Sequence, residues 1–480
     1  MNDTATIRAL LELEDAAPDE LFERVPGTDA HFWPLARWPI AAALSSQNLN
    51  VTPVPARLPS GFEHLRLRIG RQLPNPYSSD KINHTIENLF IVSGTTKAPT
   101  RSRTGNWLTD DFAMSLEDRA MVVQDAPLTS LTKLSDRPVN RRTRTFDAAL
   151  LRVRYGTQIE PLPQTVREQT ERILKVVFDH LGSLLSESTR KDLTVKILRR
   201  LHRLPHAERE YIDLLDRTEP NRIFMQTAAY GDRSNFIRLA HERNISVVEL
   251  QHGWIGASHS AYNFGAAMTD TVLTKDLPDT FYTFGEYWGK HLRFPGKVVP
   301  VGKPVLEKSA RLAAPYHRRQ KRLLLVSSVY ERERLLASAR SLRSALPPDW
   351  QIALRPHPSE RANAAEFFAD ALAAGVVLDE ASEVSTSIAA SRAVVGMIST
   401  VLYEALPLGV HLGVIETELA SQYSDNTLFP LRMNETSGFD EFVSLLTRDE
   451  APDPATTEFV WTPNAVENFK RLTTAADNTP

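Results

Sequence analysis

The chain contains no cysteine among its 480 residues. That excludes disulfides, thiolate catalysis and cysteine-ligated zinc or iron–sulfur sites, and it fits a reducing compartment. A net charge is nearly absent as well: 56 basic against 59 acidic side chains leave −3, which is no global field for nucleic acid, so any phosphate recognition must be local. No apolar run approaches the roughly 18–20 residues that span a bilayer. The opening MNDTATIRALLELEDAAPDE carries acids and has no basic stretch followed by an apolar one, so no secretory signal is expected and the predicted location is cytoplasmic. Asp-x-Asp does not occur, and the 13 histidines include no His-Glu-x-x-His, so neither a metal–diphosphate clamp nor a zincin site is predicted, and no metal or cofactor is expected.

What is present is ordinary globular material, 42% hydrophobic and 24% charged, enough for two or three folding units. The first ~85 residues are rich in proline and give only a short helix near Thr4–Glu14. Buried-type strands are predicted at Leu89–Ser93 and Ala120–Gln124, separated by a polar loop containing Trp107, Asp110 and Asp111. Apolar residues three and four apart from Pro163 to Leu215 predict helices. A βαβ unit follows: strand Arg222–Gln226, helix from Ser234, strand Ile245–Leu250 running into Gln251-His252-Gly253.

Short strands at Thr280–Gly285 and Lys297–Gly302 read as a connection. From Arg322 strands alternate with helices through Ala393–Met397 and Thr400–Leu406, the pattern of a parallel doubly wound sheet. The expected division is an acceptor-binding domain at 1–265, a connecting segment at 266–320, a nucleotide-sugar-binding domain at 321–462, and a C-terminal helix and tail at 463–480.

Two motifs at strand ends carry chemistry. In Arg355-Pro356-His357-Pro358 the prolines hold a histidine rigidly where open α/β sheets place ligands, beside the fixed charge of Arg355; a stiff turn is the bland alternative. In Gly396-Met397-Ile398-Ser399-Thr400 a strand ends on two hydroxyls and a helix begins, which describes either a phosphate cradle or a simple N-cap. Glu404 follows in the first helical turn, placed to balance the dipole or to reach a ribose hydroxyl, and Ser327 and Ser328 end the strand at Arg322. Both motifs fall at one edge of one sheet.

The pair resembles the HP and S/T motifs of bacterial sialyltransferases and related capsule and lipopolysaccharide transferases of GT-B fold, and also the teichoic-acid glycerophosphotransferases, which use cytidine-linked donors. Glu249-Leu250-Gln251-His252-Gly253-Trp254 is similar to the QHG loop of the same enzymes, and the resemblance covers roughly residues 220–410. It implies an α/β GT-B fold, two Rossmann-like domains facing each other across a cleft. It also implies an inverting, metal-independent transfer from a nucleotide sugar, a CMP-activated nonulosonic acid, to a surface glycan or glycolipid. The alternatives are a CDP-glycerol or CDP-ribitol phosphotransferase, a UDP-sugar glycosyltransferase, or a non-catalytic glycan- or nucleotide-binding scaffold.

By the same resemblance Arg355, His357, Pro358, Ser399, Thr400, Glu404, Ser327 and Ser328 face the donor, and Gln251, Gly253, Trp254 and Tyr262 the acceptor. The family's two acids followed by glycine are missing; Asp110-Asp111 precede Phe112 instead. The base is therefore assigned to His252, whose ordinary pKa near 6.5 suits proton abstraction, with Glu249 orienting it and Asp110 or Asp111 as rivals. Trp254, Tyr262, Tyr287 and Trp288 either stack on sugar or fill a domain interface. The basic run His317–Arg322 either is a solvated linker or touches the inner membrane face.

Overall fold

The computed structural model describes residues 3–48, 75–93, 97–99, 104–125, 138–381, 383–434, 438–452 and 457–476. Two parallel sheets organise the chain. The first has seven strands in the order β5-β4-β1-β6-β7-β8-β9, with β1 Asn88–Val92, β4 Ala120–Gln124, β5 Thr143–Thr145, β6 Arg222–Gln226, β7 Ser246–Leu250, β8 Thr280–Thr283 and β9 Lys297–Pro300. The second has six in the order β12-β11-β10-β13-β14-β15, with β10 Arg322–Val326, β11 Gln351–Arg355, β12 Val377–Leu378, β13 Ala393–Gly396, β14 His411–Ile415 and β15 Arg432–Met433. A two-stranded antiparallel ribbon, β2 Lys97–Pro99 and β3 Thr104–Asn106, stands apart.

The central strands β1, β4 and β6 are buried along their whole length, covered on both faces. Along β1, Leu89 and Ile91 enter one apolar cluster with Met121, Val123 and Ile223, while Phe90 and Val92 enter another with Val122, Phe224 and Val248. A period of two with apolar residues on each side is what a sandwiched parallel strand requires. The helix Ala465–Ala476 closes the second cluster: Phe469 stacks on Phe112 at 4.5 Å and meets Phe224 at 4.9 Å, so the end of the chain packs on the first sheet.

Strand β8 pairs in register with β7, and β9 with β8. The segment 266–320, expected to connect two domains, thus supplies two strands of the first sheet. Periodicity could not show this, because a strand pattern does not name its partner. The N-terminal region forms the helices Asp3–Ala16 and Phe32–Asn48. Glu14, fully buried, accepts from Arg37 Nε at 2.6 Å, Trp33 Nε1 at 2.7 Å and the Gly265 amide at 2.8 Å. Arg37 also donates to the carbonyls of Ser260 and Asn263. These helices brace the loop that follows β7 from behind.

The two predicted helices within 163–215 are Gln164–Leu181 and Glu187–Thr218, separated at Gly182 (φ +53°) and restarted by Ser186, whose hydroxyl accepts the Thr189 amide at 3.2 Å. Residues 477–480 of the expected tail lie outside the described residues. Among the described residues no helix is long and apolar enough to cross a membrane.

The basic run before the second sheet is built into it. Arg319 donates to the carbonyls of Ala314 and Leu408 at 2.8 and 2.7 Å, and Arg322 lies 2.7 Å from Asp379. Those two side chains are held by the second sheet rather than lying in a free linker.

Candidate functional site between the two sheets

In each sheet the first strand in sequence lies centrally, the next sheet strands run to one side and the later ones to the other. The connections therefore reverse direction between β10 and β13 in the second sheet, and a crevice opens beyond the carboxyl ends of strands at such a point. A cavity of about 570 Å³ lies there, bounded across the gap by the loops after β7, β8 and β9 of the first sheet. From the second sheet come Ser327, Arg355, His357, Pro358, Ser399, Thr400 and Glu404; from the first come His252, Gly253, Trp254, Phe284 and Lys303, with Trp107. Residues roughly 100 positions apart in sequence meet because both sheets point their strand ends at one gap.

The histidine turn is anchored by Glu360, which is fully buried. Its carboxylate accepts from the His357 amide at 3.0 Å, Ser327 Oγ at 2.7 Å and Arg332 Nη2 at 3.0 Å. His357 Nδ1 accepts the Ser359 amide at 3.3 Å and lies 2.7 Å from Ser359 Oγ. A backbone N–H can only donate, so the neutral ring carries its proton on Nε2. Burial lowers the His357 pKa, with Glu360 opposing the shift; the group is a neutral hydrogen-bond donor near neutrality.

Ser399 is the N-cap of the helix Thr400–Ala405, and its hydroxyl accepts the Val401 amide at 3.2 Å. Capping and cavity lining coexist, since the hydroxyl proton is not used by the cap. Arg355 departs from expectation. Its Nη1 lies 2.5 Å from Asp379 and 3.0 Å from both the Ala381 carbonyl and Ser387 Oγ, so it is held within the second sheet, sharing Asp379 with Arg322. Ser328 is buried and donates to the Tyr330 carbonyl at 3.1 Å, behind the cavity wall.

On the opposite wall His252 has its Nε2 3.4 Å from Tyr230 Oη and its Nδ1 3.5 Å from Tyr262 Oη. Tyr262 donates to Glu249 Oε1 at 2.5 Å, and Glu249 Oε2 accepts the Ala229 amide at 2.8 Å. Glu249 therefore reaches the imidazole through Tyr262 and not directly. Burial pushes the Glu249 pKa up to about 7 against those hydrogen bonds, and burial pulls that of His252 down to about 4. The expected value near 6.5 is corrected accordingly: the ring is neutral over the physiological range and a weaker base than an ordinary imidazole, so its candidacy as base rests on its place on the cavity wall.

On this wall, too, assigned residues stop short of the cavity, as Ser328 does on the other. Tyr262 is fully buried, and Gln251 uses its amide to receive the Phe284 N–H at 2.7 Å and to donate to the Gly253 carbonyl at 2.9 Å. Glu249 lies beneath both. Asp110 accepts the Asn106 amide at 2.7 Å, and Asp111 is ion-paired with Lys308; neither lines the cavity, although Trp107 from the same loop does.

Of the four aromatic candidates, Trp288 is buried and donates to the Val460 carbonyl at 2.8 Å, and Tyr287 Oη lies 3.1 Å from Tyr403 Oη. Trp254 borders the cavity and crosses to the second sheet's side, donating to the Tyr423 carbonyl at 3.0 Å. The seam is close: at Gly302 (φ +106°) a Cβ would stand 2.3 Å from the Thr462 carbonyl.

Lys303 is the residue that sequence reasoning missed. It is 7% exposed, lies 2.8 Å from Glu404 Oε1, and sits over the rings of Trp107 and Phe284 at 4.6 and 5.1 Å. Its signal was a lone cation in Val301-Gly302-Lys303-Pro304, immediately past β9 and before a helix opened by proline.

Two parallel α/β domains with strand ends facing across a polar cavity define the GT-B class of fold. Solved structures similar in architecture include the UDP-GlcNAc 2-epimerase of Methanocaldococcus jannaschii in complex with UDP-GlcNAc and UDP, 11% identical over 82% of this chain and 100% of that one with a TM-score of 0.44. The UDP-N-acetylglucosamine 2-epimerase of Rickettsia bellii is 14% identical over 82% and 96%, TM-score 0.44, and the calicheamicin glycosyltransferase CalG4 is 12% identical over 81% and 94%, TM-score 0.36. No protein-family model and no curated protein matches the sequence. Likeness at this level carries no argument about chemistry, which rests on the cavity itself.

Proposed function

We propose that this chain is a nucleotide-sugar-dependent glycosyltransferase acting in the cavity between its two sheets. The observation that carries the reading is the lining: His252 on one wall, and on the other His357, Ser399 and Thr400, whose N–H and hydroxyl groups are donors suited to an anion. In the transfer, His252 takes the proton of an acceptor hydroxyl while that oxygen bonds to the anomeric carbon and the bond from this carbon to the donor phosphate breaks. The electron pair leaves with the phosphate, where Nε2–H of His357, the hydroxyls of Ser399 and Thr400 and the ammonium of Lys303 face it. Preorganised donors of this kind contribute several kcal/mol in a water-poor site.

Attack from the wall opposite the leaving group inverts the anomeric centre. The steps are assigned without a metal, following the missing Asp-x-Asp pattern. The donor class is a CMP-activated nonulosonic acid and the acceptor a surface glycan, both from the resemblance of the His357 and Ser399-Thr400 motifs to cytidine-donor enzymes.

Thermal shift against CMP, CDP, UDP and GDP tests the reading. Ligand at about 100 times its dissociation constant stabilises by roughly 2.7 kcal/mol, and CMP or CDP is expected to give the largest rise. A preference for UDP removes the nonulosonate donor. No response to any nucleotide removes the enzyme reading in favour of a scaffold.

A further inference from the structure

The first sheet has its own point of reversal. From β1 the chain goes to β4 and β5 on one side and returns to β6 on the other, so the crevice rule that places the main cavity between β10 and β13 also marks the carboxyl ends of β1 and β6. A separate cavity of about 410 Å³ lies there, sharing no lining residue with the first. Ser93 follows β1, Asp125 follows β4 and Thr227 follows β6; Phe146, Leu150 and Tyr211 form the wall from helices.

A second observation points to the same place. Thr227 adopts φ 54°, ψ 33°, a left-handed conformation that is strained for a β-branched residue and that such residues rarely take. Residues held this way concentrate at ligand sites, and Thr227 lines the cavity at the strand end itself.

The chemistry of the lining differs from that of the main cavity. Arg233 lies 2.5 Å from Asp125, and Asp232 is ion-paired with Arg200. The four charged side chains that line the cavity, Asp125, Arg203, Asp232 and Arg233, sum to zero, so the lining as a whole holds no excess positive charge to draw a phosphate, while its carboxylates and hydroxyls still offer acceptors. Aromatic and aliphatic side chains beside such groups suit the apolar face and the hydroxyl rim of a sugar.

We infer that this second cavity is a saccharide site that holds an inner, uncharged part of the acceptor glycan, an inference that rests on the proposed transferase function. Strands lie about 4.8 Å apart in a sheet, so the crevice at β6 and the wall formed after β8 are separated by roughly 10 Å along one edge. A glycan lying along that edge has its inner sugars in the second cavity and its terminal hydroxyl beside His252.

The test uses the full chain on an array of neutral bacterial surface oligosaccharides, from disaccharides to hexasaccharides, with CMP-induced stabilisation measured in parallel as the readout of the main cavity. Binding is expected for the wild type, and a loss of at least tenfold in Leu150→Trp, which fills the cavity from a half-exposed position, and in Arg203→Ala at its rim, the second variant serving if the first does not fold. His357→Ala should retain glycan binding. The inference is overturned if the wild type binds no neutral glycan while CMP still stabilises it, if both cavity variants bind as the wild type does, if only anionic glycans bind, or if His357→Ala abolishes glycan binding. Loss of the CMP response in the wild type would instead strike the proposed function.

Discussion

The ammonium of Lys303, from the loop after β9 in the first sheet, lies 2.8 Å from the carboxylate of Glu404, in the helix after β13 in the second, with both side chains about nine-tenths buried. This ion pair crosses the wall of the main cavity and joins the two halves of the site. Lys303 is the cation that the first sheet brings to the cavity, beside Arg355 and Arg361 from the second, and Glu404 holds it facing the position proposed for the donor phosphate.

Lys303→Met should therefore lower turnover by about 10²–10³-fold and also destabilise by about 3–5 kcal/mol, because the Glu404 carboxylate is left buried without its cation. The double variant Lys303→Met/Glu404→Leu separates the two effects. Calorimetry should show most of the stability restored while transfer assays stay low; recovery of both would reduce Lys303 to a structural role.

His252→Ala is expected to bind donor normally and lose about 10²–10⁴-fold in turnover, whereas Asp110→Asn and Asp111→Asn should leave turnover within a few fold, since neither aspartate lines the cavity. Single-turnover kinetics with donor affinity measured separately decides between them. A loss confined to an aspartate variant moves the base to the start of the helix Asp110–Ser115.

His357→Ala should cost at least ~100-fold in turnover with little change in melting temperature, matching about 2.7–4 kcal/mol for one preorganised donor. Ser399→Ala with Thr400→Val should act similarly and in addition lose ~1 kcal/mol of stability, because the Val401 amide loses its cap. Full activity in both variants would place the leaving group elsewhere.

Glu249 gives a pH dependence of known sign. Its pKa rises on folding from the ordinary 4.5 to about 7, so the folded chain holds a proton that the unfolded chain releases, and this contribution to stability, full below about pH 4.5, is lost as pH climbs to 7. His252 works oppositely: its pKa falls from 6.5 to about 4, so its contribution is present above 6.5 and lost on acidification. Glu249→Gln removes only the first effect. Melting curves should show the variant gaining on the wild type steadily between pH 4.5 and 7; a constant difference would mean that Glu249 is ionised throughout.

Phe469→Ala should destabilise by about 3–5 kcal/mol, since the ring is fully buried among Phe90, Phe112 and Phe224. Denaturant unfolding measures this, and a change below about 1 kcal/mol would mean that the last helix is not part of the first domain's core.

Legibility in the sequence followed how local the signal was. The strands Ala120–Gln124 and Arg222–Gln226 were read with their observed bounds, because a buried parallel strand is a continuous apolar run. The helix predicted at 362–374 is broken into Ala364–Phe367 and Ala369–Ala373. The strands His411–Ile415 and Arg432–Met433 and the helix Phe32–Asn48 were not read; the last carries Pro39 in its interior and apolar residues on most of its surface, which erases the helical period.

The sequence by itself determined the alternation of strands and helices and the two polar strand ends, His357 and Ser399-Thr400, because proline stiffness, capping and apolar runs act over a few residues. Only the tertiary structure decided which strands joined which sheet, that Arg355 and Arg322 share Asp379, that Tyr262 and Gln251 are buried behind His252, and that Lys303 meets Glu404. Those outcomes depend on burial and on partners brought together across the fold, and a charge or a hydroxyl has no fixed role until its neighbours and its access to water are set.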